Sequence, residues 1–118
     1  MEAVLVLAHG SKRQETEEIL NSLIGKVKIK TGNERVYPAY LQFSEQDLEK
    51  TVSELYEQGV RIIKMIPLFI FNGVHVTQDI PEEIERIRSK YNDLNIVYSK
   101  HIGDDDKLAD IIVDRINS

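Results

Sequence analysis

The apolar residues of this chain form four short runs, separated by longer stretches in which they recur at helical spacing. Ala3–Ala8 is a continuous apolar run, typical of a strand that is buried on both faces of a sheet. Val36–Gln42 alternates loosely, Val60–Ile66 is a second apolar run that Pro67 ends, and Asn95–Ser99 is shorter. We therefore predict a strand over each of these four ranges.

Between and after the strands, apolar residues recur every three or four positions, which indicates four helices that each bury one face. The predicted buried positions are Ile19, Leu20, Leu23, Ile24 and Val27 in the first helix, Leu48, Val52, Leu55 and Tyr56 in the second, Ile80, Ile84, Ile87 and Tyr91 in the third, and Leu108, Ile111, Ile112 and Ile116 in the fourth. Ser11 with Gln14 predicts a capping box for the first helix, and Ser44 predicts the N-cap of the second. Gly32 and Gly59 are predicted to end these two helices.

The element order is therefore β-α-β-α-β-α-β-α. Strict alternation predicts an α/β fold with a four-stranded parallel sheet, helices on both faces and right-handed crossovers. We expect one doubly wound domain with flavodoxin-like layering that spans residues 1–118.

The composition narrows the classes of function. The chain has no cysteine, which excludes disulfides and thiolate chemistry, and its net charge of −5 shows no basic excess of the kind that nucleic-acid binding needs. The first apolar run has no basic segment before it, so we interpret it as a buried strand and not as a signal peptide or membrane span. We expect a cytoplasmic protein that binds neither nucleic acid nor membranes.

The candidate chemistry lies with the three histidines, His9, His75 and His101, each of which follows a predicted strand. The carboxyl ends of parallel strands meet at one edge of a sheet, where ligands bind. We expect His9 and His75 to share that edge, at the mouth of the fold. Two neutral imidazoles there can bind a divalent metal or accept protons near neutral pH. The residues alone leave these roles open, and for each histidine a surface position without function remains the competing interpretation.

Several other enzyme classes are disfavoured by what the sequence lacks. A histidine phosphatase needs an arginine beside its nucleophile, and position 8 is Ala8. The nucleophile elbow of acyl hydrolases and the glycine-rich loops of nucleotide-binding proteins are also absent from the sequence. Lys12, Arg13 and Lys100 are basic residues near the same edge. Together with the helix N-termini they offer sites for carboxylates.

Two motifs resemble a known family. Leu-Ala-His9-Gly-Ser11 is similar to the family's first motif, and Ile66-Pro-Leu-Phe69 followed by Gly73-Val-His75-Val-x-x-Asp79-Ile-Pro81 is similar to its second. Tyr40-Leu-Gln42-Phe43 also falls in the family's order. The family is that of the small CbiX-type sirohydrochlorin chelatases, which are related to SirB, and the resemblance covers essentially the whole chain.

The resemblance implies an enzyme that inserts Co²⁺ or Fe²⁺, with Ni²⁺ as a further candidate, into sirohydrochlorin on the way to cobalamin or siroheme. It implies that His9 and His75 form the metal and catalytic site, that the metal ion is the only inorganic partner, and that two copies of this short form pair as a homodimer. The residues expected to hold the tetrapyrrole are Ser11, Lys12, Arg13, Ser44 and Val74, with Phe71 against its face.

Two positions depart from the family's pattern. Gln42 stands where relatives often carry Glu, and His101 stands where they often carry Pro, so His101 is given no catalytic role. Two alternatives remain at this stage. One is a non-catalytic carrier of metal or tetrapyrrole that uses the same two histidines. The other is a flavodoxin-like binding or regulatory domain, which predicts no spectral change with sirohydrochlorin and Co²⁺.

Overall fold

The computed structural model describes residues 1–71, 73 and 78–118. Four strands alternate with four helices in the predicted order. The elements are β1 (Glu2–Ala8), α1 (Gln14–Thr31), β2 (Val36–Tyr40), α2 (Leu48–Glu57), β3 (Ile62–Pro67), α3 (Ile80–Lys90), β4 (Asn95–Tyr98) and α4 (Asp106–Ile116). The four strands form one parallel sheet in the order β2-β1-β3-β4, which confirms the predicted α/β class.

The core lies on the two faces of this sheet. Alternate residues of β1 point to opposite sides, so Leu5 and Leu7 pack with α2 and α3, while Val6 and Ala8 pack with α1. The first face is broadly covered, because α2 and α3 contribute six fully or almost fully buried aliphatic side chains. On the second face, α1 buries only Leu20 and Ile24, against β1 and β2.

The ends of the first two helices differ in part from the prediction. Helix α1 begins at Gln14 with Arg13 as its N-cap, and Asp47, not Ser44, caps α2 by accepting a hydrogen bond from the amide of Lys50 at 2.8 Å. The capping predictions were wrong because Ser11 and Ser44 instead accept bonds from amides two residues ahead, which forms local turns. Gly32 and Gly59 do follow their helices with left-handed backbones, at φ +70° and +100°.

The buried faces of two helices also differ. Ile19 and Leu23 of α1 are 60% and 40% exposed, so the core side of this helix is narrower than its apolar stripe. Helix α4 is described throughout, and none of its residues is buried. The prediction that α4 buries one face is therefore wrong for a single copy of the chain. Helical periodicity identifies an apolar face but does not show which surface covers it.

At the edge where the strands begin, Arg61 joins three elements. Its guanidinium lies 3.6 Å from the ring centre of Tyr56 at the end of α2. It donates to the carbonyl oxygens of Tyr56 and Val60 at 2.8 and 2.9 Å, and it pairs with Asp93, in the turn before β4, at 3.2 Å. The amino edge of the sheet is thus held by one half-buried cation that contacts three residues, Tyr56, Val60 and Asp93.

Candidate functional site at the carboxyl edge of the sheet

His9 follows β1 directly and is exposed at the carboxyl edge. Two main-chain bonds fix the backbone there, from the amide of Leu41 to the carbonyl oxygen of Ala8 at 3.0 Å and from the amide of Gln42 to that of His9 at 3.2 Å. The parallel pairing of β1 and β2 therefore continues past the ends of both strands. This places the backbone of Gln42 beside that of His9.

The imidazole of His9 contacts the segment that follows β3. Its ring meets the ring of Phe69 edge to face, with centres 5.4 Å apart. Phe69 is 9% exposed, and the amide of the preceding Leu68 donates to the carbonyl oxygen of Leu7 at 2.8 Å. The carbonyl oxygen of Phe69 accepts from the amide of Gly103 at 3.1 Å. Phe69 therefore links the chain segments that follow β1, β3 and β4.

Gly10 sits at the tightest point of this edge. Its φ of +93° is a conformation that L-residues rarely adopt, and a Cβ built on it would lie 2.0 Å from the carbonyl oxygen of Gln42. Only glycine lets the chain turn from His9 into α1 while it stays beside the β2 extension. The His-Gly pair of the sequence is therefore explained by packing at this position.

The predicted anion-binding residues that follow His9 have different surroundings. The hydroxyl of Ser11 accepts from the amide of Arg13 at 3.0 Å. Arg13 is exposed and pairs with Glu15 at 3.0 Å, which offsets part of its charge. The ammonium group of Lys12 lies 5.4 Å from the ring centre of Phe43, within the range of a cation–π contact. Of the two basic residues in this segment, Lys12 and Arg13, it is Lys12 that lies over an aromatic ring.

Phe43 is a candidate site residue that the sequence did not single out. It has a φ of +60° although it is not glycine, and its side chain is 53% exposed. A bulky residue held in the left-handed region costs about 1–3 kcal/mol, and such strain clusters at functional positions. The backbone angle has no signature in the sequence, although the position of Phe43 just past a strand end was visible.

Ser44 joins the same loop to α1. Its hydroxyl donates to the carboxylate of Glu17 at 3.4 Å and accepts from the amide of Gln46 at 3.1 Å.

The hydroxyl of Tyr40, the last residue of β2, is buried and has no hydrogen-bond partner within the described part of the chain. Burial, helped by the charge of Glu17, raises the pKa of Tyr40, so the phenol stays protonated.

His101 lies apart from His9 in the strand order, because β3 separates β1 from β4. Its ring lies against its own turn, where a Cβ on Gly103 would come within 2.9 Å of His101 Nε2. The ring also lines a cavity of about 460 Å³ that Ile66, Leu108 and Ile111 share. This packing explains His101 without any catalytic role.

His75 and Val74 lie outside the described residues, so the predicted pairing of His9 with His75 stays a prediction. Strands β1 and β3 are neighbours in the sheet, and the segments that follow them start side by side. Among residues 1–71, 73 and 78–118, no group of three histidine, aspartate or glutamate side chains is arranged to hold a metal ion. Within that part of the chain, no helix is both long and apolar enough to cross a membrane.

The described residues define a class of protein: a parallel α/β domain whose carboxyl edge combines an exposed imidazole, an exposed aromatic ring and a lysine. The sequence model of the CbiX family matches residues 3–118. The chain therefore belongs to the CbiX family.

Individual relatives agree with this assignment. The chain is 30% identical to the sirohydrochlorin cobaltochelatase of Methanocaldococcus jannaschii, over 98% of this chain and 97% of that protein. It is also 30% identical to the sirohydrochlorin ferrochelatase of Priestia megaterium, over 99% of this chain but 44% of that one. The structure of the sirohydrochlorin chelatase SirB from Bacillus subtilis subspecies spizizenii in complex with cobalt matches with a TM-score of 0.89 and 27% identity, over 98% of this chain and 50% of SirB. The chain thus spans nearly the whole archaeal enzyme and about half of the two bacterial proteins.

Proposed function

We propose that this chain is a sirohydrochlorin chelatase that inserts a divalent metal ion into the macrocycle, with Co²⁺ as the first candidate and Fe²⁺ as the second. The observation that carries the proposal is His9, exposed at the carboxyl edge against Phe69, in a chain that matches the CbiX family from residue 3 to residue 118. Relatives of both the cobalt and the iron type match the chain at similar identity, so the choice of metal rests on measurement.

The proposed reaction exchanges one metal ion for two protons. The metal forms bonds to the pyrrole nitrogens, two N–H bonds break, and the protons leave to bases or water. A neutral imidazole suits both steps, because its free nitrogen lone pair binds borderline divalent metals and accepts protons near pH 7. We assign these roles to His9 and His75 together. Residues 1–118 are the proposed single catalytic domain of one protomer, and its proposed location is the cytoplasm.

The macrocycle is a flat ring with carboxylate side chains, and the edge offers matching groups. Phe43 and Phe71 are 53% and 84% exposed and present aromatic faces to the solvent. Lys12 lies over Phe43, where it can pair with a carboxylate at the rim of a ring stacked on that residue. Ser11, Arg13, Ser44 and Val74 remain proposed contacts of the tetrapyrrole.

Turnover tests the proposed function. Sirohydrochlorin is mixed with Co²⁺, Fe²⁺ or Ni²⁺ and a small molar fraction of protein, and its visible spectrum is followed against a blank without protein. A chelatase converts many equivalents of substrate faster than the blank. Conversion limited to one equivalent per chain would instead support the carrier alternative. A spectrum that matches the blank for all three metals would contradict both.

Phe43→Ala is expected to weaken sirohydrochlorin binding about tenfold at most, because an aromatic stacking contact contributes roughly 0.5–1.5 kcal/mol. The measurement is a titration of the tetrapyrrole's fluorescence or absorbance without metal. Phe43→Tyr keeps the ring and should bind as the original chain does, while Ile29→Ala removes an exposed aliphatic residue of α1 as a control. Equal affinity of Phe43→Ala and the original chain would remove Phe43 from the site.

We further propose that two copies of the chain pair as a homodimer. The bacterial relatives are about twice as long as this chain, which matches half of their length. A second copy would supply the other half of such an assembly. The exposed apolar residues of α4 give this pairing a physical reason, since contiguous exposed apolar patches on soluble proteins mark interaction surfaces.

A further inference from the structure

The loop that follows β2 lies between His9 and helix α1 and is bonded to both. The amide of Gln42 donates to the carbonyl oxygen of His9 at 3.2 Å. Two residues further on, the hydroxyl of Ser44 donates to the carboxylate of Glu17, in the first turn of α1, at 3.4 Å. Consecutive α-carbons are about 3.8 Å apart, so those of Gln42 and Ser44 are separated by about 7.6 Å at most. The loop therefore places Glu17 at the same edge of the sheet as His9.

Phe43 stands between these two contacts, and its exposed ring is the proposed stacking surface for the macrocycle. A tetrapyrrole stacked on Phe43 would lie next to the adjoining Ser44, which is half-buried. The oxygen of Ser44 uses one lone pair to accept from the amide of Gln46 at 3.1 Å and has a second lone pair for another donor. One hydroxyl group therefore separates the proposed substrate position from the carboxylate of Glu17.

The carboxylate of Glu17 differs from its neighbours in what it contacts. Glu15 pairs with Arg13, and Asp47 accepts a backbone amide to cap α2. Glu17 is half-buried, and among the described residues neither a lysine nor an arginine pairs with it. Its hydrogen bond from Ser44 is long at 3.4 Å, whereas O–H···O bonds usually measure about 2.5–3.0 Å. Glu17 is thus held at the edge without being neutralised by a cation.

A second hydroxyl, that of Tyr40, lies near Glu17. The charge of Glu17 adds to the larger effect of burial in raising the pKa of the Tyr40 phenol. The phenol is buried and has no partner in the described part of the chain, although buried donors are normally paired. Glu17 therefore has one hydroxyl in contact and a second one nearby that no described group uses.

We propose that Glu17 receives one of the two pyrrolic protons by way of the hydroxyl of Ser44. As the N–H bond breaks, the nitrogen keeps the electron pair that binds the metal, and the proton passes to Ser44 Oγ. The hydroxyl proton of Ser44 passes to Glu17 Oε1, and the carboxylic acid formed there then loses it to water. The second pyrrolic proton leaves to an imidazole or to water, so one metal ion is exchanged for two protons. This inference rests on the proposed chelatase reaction.

The competing interpretation is that Glu17 only ties α1 to the loop. Glu17→Gln separates the two, because the amide oxygen still accepts from Ser44 but the side chain cannot take up a proton. We expect Glu17→Gln to insert Co²⁺ about 100-fold more slowly at saturating sirohydrochlorin, within the range of a positioned base. Its affinity for metal-free sirohydrochlorin should not weaken. Glu18→Gln removes the neighbouring exposed carboxylate of α1 and should leave the rate unchanged.

Two further variants test the path of the proton. Acetate is expected to restore part of the rate of Glu17→Ala in proportion to its concentration, because a small carboxylate can replace the missing acceptor. Glu18→Ala in the same buffers corrects for the effect of acetate on the free metal ion. Ser44→Ala should lower the rate although Glu17 is intact, and Ser44→Thr should keep it because threonine retains the hydroxyl. Circular dichroism checks the fold of each variant.

The outcomes separate this inference from the reaction on which it rests. A rate of Glu17→Gln equal to that of the original chain would overturn the proton transfer. Weaker binding of Co²⁺ by Glu17→Gln in the absence of sirohydrochlorin would also overturn it, since Glu17 would then be a metal ligand. A slow Glu17→Ala that acetate does not accelerate would leave Glu17 a purely positional role. No turnover above the blank by the original chain would overturn the proposed reaction itself and this inference with it.

Discussion

Replacement of His9 by Ala is expected to lower the rate of metal insertion by about 100- to 10,000-fold, the range that a positioned acid–base or ligand group contributes. The side chain is exposed at the edge and packs edge to face with Phe69, so its removal is expected to leave the buried core intact. Initial rates with Co²⁺ and sirohydrochlorin measure the effect, and circular dichroism checks the fold. His75→Ala is expected to act in the same way.

His101→Ala is the matched control, since it removes the one remaining imidazole of the chain. That ring packs against Gly103, and its loss should change the rate far less than loss of His9. The pH dependence provides a second check, because an imidazolium neither binds metal nor accepts a proton. The rate should therefore fall as the solution is made acidic. Full activity of His9→Ala, or a rate that stays flat down to pH 5, would contradict the assigned role.

Gly10→Ala is expected to destabilise the fold by about 3 kcal/mol or more, and to lower Tm by on the order of 10 °C for a domain of this size. Two effects combine. The φ of +93° is strained for any L-residue, at about 1–3 kcal/mol, and the new Cβ would lie 2.0 Å from the carbonyl oxygen of Gln42. The backbone must move to relieve that overlap, so His9 moves with it. Activity should therefore fall even below the melting temperature.

Two other glycines separate these effects. Gly32 has a φ of +70° with no described atom within 4 Å of a built Cβ, so Gly32→Ala measures the cost of the backbone angle alone. Gly25 lies inside α1 in equally open surroundings, and Gly25→Ala should stabilise the chain by about 0.5–1 kcal/mol. Denaturant unfolding of the three variants gives the comparison. A Gly10→Ala variant no less stable than Gly32→Ala would show that the Gln42 contact is unimportant.

The sequence predicted the order of elements well, because continuous apolar runs such as Ala3–Ala8 and helical stripes such as that of α3 report burial directly. The sequence-based prediction failed where several hydrogen-bond partners compete for one side-chain hydroxyl. The hydroxyls of Ser11 and Ser44 bond to nearby amides and do not cap the helices. Helix α4 shows a different limit, since its apolar residues recur at helical spacing but none of its residues is buried.

The site was predictable in part. The position of His9 follows from the strand before it, and the resemblance carried the pairing with His75, which lies outside the described residues. The contact between His9 and Phe69 depends on the strand order β2-β1-β3-β4, which local patterns do not encode. The backbone angle of Phe43 likewise depends on tertiary packing, so no sequence motif predicts it.

The position of Arg61 explains why the opposite edge tolerates strained geometry. Its contacts with Tyr56, Val60 and Asp93 hold the connections into β3 and β4 in place at the amino edge of the sheet. Anchorage is concentrated where the strands begin, and the segments that follow the strands carry the left-handed backbones of Gly10 and Phe43, of which only that of Phe43 is strained. Substitutions can therefore accumulate at the carboxyl edge of the sheet while the amino edge maintains the architecture.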